Sequence, residues 1–292
     1  MFAILGAFSF GFNGVTTRRA VTRIKDPTMG VFITVFISVP IFFIILLIAG
    51  RVHTIAEFSP RAYGFLIAAG ILHFIFGRSF SYACTKLVGS NIRSVVTRTN
   101  LLIAVILGII IFHEPVTWRL ITGVSLVLLG LIIVGWAPNS RKSSAGGYQG
   151  ISLKGVMMGL IGGVFWGITP LLVKAALNEG GYPVAGTFIS YAAAALALCP
   201  ILLFRSKRKQ LHIMDRSTVL WFCSSGFTSA MAQLFRYMAL SMTHVSVVAP
   251  LFSTNPLFVV GLSFIFNRKL ESFRPQVLIG VVAVVIGAIL VY

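Results

Sequence analysis

Apolar runs of roughly twenty residues succeed one another along almost the whole chain, and the short stretches between them gather the polar and charged positions. A helix that crosses a bilayer needs about 20 mainly apolar residues. Runs of that kind lie near 2–20, 28–50, 61–86, 90–112 and 116–136, then near 153–177, 183–204, 216–242, 244–267 and 274–292. Such runs, Val39 to Ile48 for example, do not alternate apolar and polar residues, which excludes the strands of a membrane β-barrel. Between the fifth and sixth runs, 137–152 is polar and rich in Gly and Ser, the composition of a linker. The pattern predicts an all-α membrane protein with ten transmembrane helices, five in 1–136 and five in 153–292. The first run has no basic residue before it and has Arg18 and Arg19 after it, the reverse of a secretory signal, so it is expected to remain as a spanning helix.

The two halves resemble each other at an offset of 155–157 residues. Phe10-Gly11 matches Trp166-Gly167, and Arg18 falls on Lys174. Gly70 matches Gly226, and Thr99-Asn100 matches Thr254-Asn255. Glu114, Gly123 and Gly130 fall on Glu271, Gly280 and Gly287. Each match alone is weak, but a near-constant offset over a whole half marks an internal repeat. Because five is odd, the second copy must be inverted in the membrane relative to the first, as in many transporters.

Charge agrees with the inversion. The chain holds 24 Lys and Arg against 6 Asp and Glu, a net charge of +18. In a water-soluble domain this would point to nucleic acid; with 57% hydrophobic and 10% charged residues the partner expected is a lipid bilayer, and no nucleic acid. Numbering connections by the runs they join, the odd ones hold sixteen basic residues: Arg18, Arg19, Arg23, Lys25, Lys86, Arg141, Lys142, Lys154, Arg205, Lys207, Arg208, Lys209, Arg216, Arg268, Lys269 and Arg274. The even ones hold four: Arg51, Arg61, Arg119 and Lys174. The positive-inside rule puts the odd connections in the cytoplasm and both termini outside it. The expected location is a plasma (inner) membrane.

The fourth and fifth runs read Asn100 to Glu114 followed by Gly123 and Gly130, and the second copy reads Asn255-Pro256 to Gly261, then Glu271, Gly280 and Gly287. With Trp166-Gly167 opening the second copy, this pattern resembles the EamA-type repeat of the drug/metabolite transporter superfamily. The first copy departs from it with Phe10-Gly11 in place of Trp-Gly and Asn100-Leu101 in place of Asn-Pro. Members of the superfamily are often drawn with cytoplasmic termini, which the charge count here reverses. The resemblance implies a two-repeat transporter and leaves the substrate open.

Four further basic residues fall inside apolar runs: Arg78, Arg93, Arg98 and Arg236. A charge at mid-bilayer costs about 2.5–3.5 kcal/mol on insertion scales. Arg93 is near enough to a helix end to snorkel, whereas Arg98 lies near the middle of the fourth run. Helical spacing groups Arg78 with Tyr82, Ser94 with Arg98, and Gln233 with Arg236 and Tyr237. Asn13, Asn100, Trp166, Thr169 and Asn255 lie near the centres of their runs, where interhelical hydrogen bonding competes with ligand contact as their role. The six acids all lie at helix ends or in connections, so the chain is expected to lack the buried acid that a proton-coupled cation exporter needs.

Without carboxylate partners, the intramembrane arginines suit a carboxylate or phosphate brought by the substrate. The candidate substrate site is Arg78, Tyr82, Arg98, Asn100, Trp166, Gln233, Arg236 and Asn255, lined by runs 1, 3, 4, 6, 8 and 9. His73 could carry a proton, although packing or hydrogen bonding is the commoner role of a lone membrane histidine. Glu114 and Glu271 are expected to cap the fifth helix of each repeat. Pro40 and Pro200 occupy comparable places in the second and seventh runs, as paired hinges would. Cys84, Cys199 and Cys223 read as small buried hydrophobes.

The function expected is a secondary transporter moving a small anionic or zwitterionic metabolite by alternating access, as a monomer and without a cofactor. A flippase for a lipid-linked phosphate or sugar, and an exporter of drugs or organic cations, are the alternatives. An enzyme is disfavoured, since no HExxH, GxSxG or membrane Asp pair is present.

Overall fold

The computed structural model describes residues 1–21, 23–24, 27–84, 87, 96–97, 99–136, 153–266 and 275–291. Arg93, Ser94, Arg98, Glu271, the 137–152 linker and the whole basic 267–274 connection lie outside the described residues. Helices follow one another in the order α1 (Phe2–Val21), α2 (Pro27–Ile48), α3 (Pro60–Cys84), α4 (Thr99–Phe112), α5 (Trp118–Trp136), α6 (Leu153–Gly180), α7 (Pro183–Leu198), α8 (Arg205–Ile213), α9 (Arg216–Met242), α10 (Val245–Phe252), α11 (Asn255–Phe266) and α12 (Pro275–Val291), with no strand among the described residues. Four helical stretches are long and apolar enough to cross a bilayer: Thr28–Ile48, Pro60–Cys84, Leu153–Gly180 and Pro183–Leu203. Outward-facing Ile44, Leu47, Ile106, Ile110, Leu129 and Ile289 make an apolar exterior suited to lipid.

Local chemistry sets the helix ends. Ser59 accepts the Ala62 N–H at 3.0 Å and Pro60 takes the first position of α3, where its absent donor costs nothing. Asp215 caps α9 through the Thr218 N–H. The last turn of α4 closes on His113, whose φ of 50° is left-handed, and the chain turns sharply there into Glu114.

Three expected spans are interrupted. The third is α-helical to Gly70, becomes a π-helix over Ile71–Gly77 and then resumes. The seventh gives way at Cys199–Leu203 to a 3-10 turn that contains Pro200, whereas Pro40 stays inside α2. These two prolines are therefore not paired hinges: one ends a helix and the other is absorbed by one. The ninth breaks at 253–254, between Pro250 inside α10 and Pro256 in the first turn of α11. Proline cannot donate to the helical ladder, which accounts for both breaks. A turn at Thr97, just before α4, occupies the corresponding place in the first half. Cys84 is buried as expected, but Cys199 is exposed on the 3-10 turn and Cys223 only partly buried.

The two halves pack into each other. α1 lies along α9, as α6 lies along α3; α4 packs on α6, as α11 and α10 pack on α1; α2 packs on α9, as α7 packs on α3. Each pair maps onto its counterpart when the halves are exchanged. α5 and α12 form a pair that exchange maps onto itself, and there the repeated glycines find their use. A Cβ on Gly130 would stand 2.5 Å from the Gly280 carbonyl, and one on Gly287 would stand 2.6 Å from that of Gly123. Only glycine lets the two backbones approach this closely.

Contacts between connections respect their parity. Arg23, in the first connection, donates to Ser217 at 2.7 Å and lies 3.8 Å from Asp215, beyond the seventh. Arg19 donates to the Phe266 carbonyl at the start of the ninth. Between even-numbered connections Ser59 and Arg61 meet Glu179, and Phe58 packs edge-on against Tyr182. Lys174, counted with the sixth connection, lies in the C-terminal part of α6. Its Nζ donates to the carbonyls of Leu240 and Thr243 at 2.9 and 3.0 Å, holding the C-terminal end of α9.

Candidate functional site

The π segment determines which residues meet at the centre. The N–H of Arg78 bonds to the carbonyl of His73, five residues back. In an α-helix, residues five apart point about 140° away from each other, whereas a five-residue ring stacks them. His73 and Arg78 accordingly reach the same neighbour, α9. The His73 Nε2 meets the Gln233 carboxamide, and Arg78 Nη2 donates to Ser229 Oγ at 2.6 Å, one turn away. Arg78 Nη1 donates to Thr34 Oγ1 of α2 at 2.9 Å, and the guanidinium lies 5.0 Å from the centre of the Phe74 ring. Among the described residues its hydrogen-bond and ring partners are two hydroxyls and an aromatic face.

Trp166 closes the cluster from α6. Its Nε1 donates to the His73 carbonyl at 3.2 Å, and its ring stacks on the imidazole with centroids 5.8 Å apart. Gly77 makes room for it, since a Cβ there would lie 2.4 Å from the indole. His73 is thus buried between Trp166 and Phe74, whose ring meets it edge-on at 4.9 Å. The imidazole Nδ1 has no hydrogen-bond partner.

Arg236 follows Gln233 by one turn and is 8% exposed. Its guanidinium sits 5.6 Å from the centre of the Phe252 ring in α10 and makes no hydrogen bond or ion pair among the described residues. The positive fields of both Arg236 and Arg78 reach His73. A second polar atom is unsatisfied where α4 meets α6: Asn100, in the first turn of α4, has a buried Oδ1 without a partner. Gly163 and Gly167 let α6 lie against that turn.

Of the residues expected in a substrate site, Arg78, Trp166, Gln233 and Arg236 converge, with His73 added, and Asn100 borders α6 beside Trp166. Tyr82 does not join them; it packs in an apolar cluster with Phe74 and Tyr191. Asn255 opens α11 just past the break and has interactions of its own. Arg98 lies outside the described residues. Helices α2 and α7, outside the expected lining of runs 1, 3, 4, 6, 8 and 9, also contribute: Thr34 holds Arg78, and Tyr191 lies 3.5 Å from Ser229. Ser229 was legible in principle, because 229, 233 and 236 make a polar stripe at helical spacing on an apolar helix. Nothing in the sequence marks Thr34 or the π segment. Tyr237, grouped with Arg236 by spacing, instead donates to Ser190 at 2.9 Å, and Ser190 to the Leu66 carbonyl at 2.8 Å. Asn13 takes the structural role, donating to the Ser225 carbonyl at 2.7 Å and so tying α1 to α9.

Glu114 overturns two expectations. It does not cap α5, and it is buried. Its carboxylate accepts the N–H groups of Val245 and Ser246 at 2.7 and 2.8 Å, capping α10 in the other half of the chain, with His244 Nδ1 at 3.8 Å. With Lys174 on the last carbonyls of α9, the α9–α10 turn is held at both helix ends by charges of the favourable sign. No three His, Cys, Asp or Glu side chains gather into a metal site among the described residues.

Two guanidiniums, an imidazole and a carboxamide, all buried, and a partly buried indole thus lie beside a broken helix in a bundle with an apolar exterior. The chain belongs to the EamA-like transporter family, whose model matches residues 1–136 and 153–292. It is thus an integral, multi-pass membrane transporter of the drug/metabolite transporter superfamily. Over 135 residues it is 30% identical to an uncharacterized protein of Methanocaldococcus jannaschii, which covers 46% of this chain and 93% of that one. Over 102 residues it is 33% identical to an uncharacterized protein of Haemophilus influenzae, covering 35% and 33% of the two chains. A solved structure, titled only as the crystal structure of a protein, superposes with a TM-score of 0.74 over 99% of this chain and 95% of that one. At 16% identity the likeness is one of fold.

Proposed function

We propose that the protein is a ten-span secondary transporter that moves a small anionic or zwitterionic metabolite by alternating access of two inverted five-helix halves. The observation that carries the reading is Arg236. A buried guanidinium with no hydrogen-bond acceptor among the described residues leaves a desolvated charge uncompensated, and five donors in a planar fork fit a carboxylate or phosphate. Arg78, whose partners are neutral hydroxyls, leaves a second positive charge within reach of the same imidazole. The exchangeable packing pairs and the self-paired glycines of α5 and α12 support the inverted halves. The same-parity contacts support odd connections on one side, which their basic residues assign to the cytoplasm of a plasma (inner) membrane. One copy encloses the cluster, so the working unit is a monomer.

The test is thermal unfolding of the purified protein in detergent against acetate, succinate, inorganic phosphate, zwitterionic amino acids and organic cations. A ligand that binds the folded state raises the melting temperature by mass action. Stabilisation by an anion or zwitterion that disappears in Arg236→Gln supports the reading. Stabilisation by organic cations alone, unchanged in Arg236→Gln, replaces it with a cation exporter.

A further inference from the structure

We infer that His73 takes up a proton together with the anion, which makes the carrier an anion–proton symporter. This rests on the anion reading above and adds the coupling ion to it.

The hydrogen-bond inventory of the ring is the starting point. One imidazole nitrogen meets Gln233 and the other, Nδ1, is buried with no partner. In a neutral imidazole one nitrogen donates and one accepts, and a carboxamide can satisfy either. Whichever way the Gln233 amide turns, Nδ1 is left as an orphan donor or an orphan acceptor. Buried orphans are uncommon and call for a reason. In the protonated ring both nitrogens donate: Nε2 to the Gln233 oxygen, and Nδ1 to an acceptor that the protein does not supply. An anionic oxygen is the acceptor that would complete it.

Charge leads to the same pairing. The groups around the ring are Arg78 on its own helix, Arg236 and Gln233 on α9, and the neutral faces of Phe74 and Trp166. No carboxylate among the described residues acts on it. A proton added to the empty site would put a third positive charge beside two others. A carboxylate or phosphate bound by Arg236 offsets that field, so the anion and the proton favour each other's binding. Linkage makes the benefit reciprocal: each raises the other's affinity by the same factor. The π segment is what allows this, because in a regular α-helix His73 and Arg78 would face different neighbours. No bond is made or broken beyond the proton on Nδ1, which comes from the aqueous phase on the loading side and leaves on the other with the substrate.

The experiment measures the affinity of succinate and of inorganic phosphate for the purified full-length protein between about pH 5 and about pH 8, the interval in which histidine changes charge. The parent is compared with His73→Gln. Expected, once each affinity is referred to the ionised form of the ligand so that its own titration drops out, is affinity about tenfold or more tighter at the acid end in the parent, and flat in His73→Gln. In parallel, protein labelled with nitrogen-15 in its imidazoles is titrated with and without the anion, so that the parent itself reports the protonation of His73 even if His73→Gln does not fold. A resonance absent from His73→Gln, or otherwise unique to the buried ring, should gain the second proton only when anion is present. Binding that is independent of pH, or pH dependence that survives in His73→Gln, overturns the coupling and leaves the anion reading intact. Binding of neither anion at any pH overturns both.

Discussion

Glu114 and Arg236 are both ionic side chains buried in an apolar helical bundle, yet their surroundings are opposite. The Glu114 carboxylate is met by two backbone N–H groups at 2.7 and 2.8 Å, on the positive end of α10. The Arg236 guanidinium has the face of Phe252 and no hydrogen bond among the described residues. Burial alone therefore does not separate the two charges; the presence or absence of partners does. The satisfied charge fixes one helix against another, and in the proposed function the unsatisfied one holds a place for a ligand.

The comparison is broken most directly at Glu114. Each buried N–H left without an acceptor costs about 1–3 kcal/mol, so Glu114→Ala should lose about 3 kcal/mol or more of unfolding free energy. Glu114→Gln keeps one carbonyl oxygen for one of the two donors and should lose less. Denaturant titration in detergent micelles measures both. If Glu114→Ala unfolds like the parent, the contact is not the structural half of the contrast.

Arg236→Met should do the reverse. Replacing an unpaired buried charge by an apolar side chain of similar reach is neutral or stabilising. The loss should appear in ligand binding instead: removing one member of a buried charge pair costs about 2–5 kcal/mol, a weakening of about thirtyfold or more. The same denaturant titration, run beside isothermal titration with the stabilising anion, separates the two readouts. A destabilised Arg236→Met that binds as before would put Arg236 in the same class as Glu114.

The two residues were unequally legible in the sequence. Arg236 could be found because a positive residue inside an apolar run is rare and costly. Its helical spacing with Gln233 then named a neighbour that the fold keeps. Glu114 sits at the end of a run, where an acid looks ordinary, and its partners lie about 130 residues away in the other half. Only tertiary packing joins them, and so sequence reasoning assigned it to the adjacent helix. The spans themselves were legible because lipid demands long apolar stretches. The π segment was not, because Ile71–Gly77 is as apolar as an uninterrupted helix would be and its extra residue per turn leaves no pattern in composition.

Arg78 lies between the two extremes and sharpens the comparison. Two hydroxyls satisfy part of its fork, but no anion does. Hydrogen bonds to charged groups contribute about 1.5–3 kcal/mol each when made. Lysine keeps the charge but, as a single point, loses the planar geometry that reaches α2 and α9 together. Arg78→Lys should therefore cost about 1–2 kcal/mol of stability and weaken anion binding by less than Arg236→Met does. Equal binding losses in the two variants would mean that the anion bridges both guanidiniums.

The smallest effect is expected at Asp215, which performs the chemistry of Glu114 in water. It caps α9 through the Thr218 N–H and hydroxyl, with Arg23 3.8 Å away. The Thr218 hydroxyl first, with the backbone N–H and Arg23 behind it, holds this carboxyl below its ordinary value of 3.8. The folded state thus keeps the charge to lower pH than the unfolded chain does. The cap's contribution is full above the unfolded value and is lost as pH falls through the depressed folded one. Solvent screens it, so Asp215→Ala should lower the melting temperature only slightly at neutral pH, far less than Glu114→Ala. Asp215→Asn, a good cap without a titratable proton, should fall between parent and alanine. The gap between parent and Asp215→Ala should close on acidification, as measured by melting curves from neutral pH downward. A gap that stays constant into acid would mean that the side chain works by shape and not by charge, and a gap as large as that of Glu114→Ala would show that burial is not what separates the two caps.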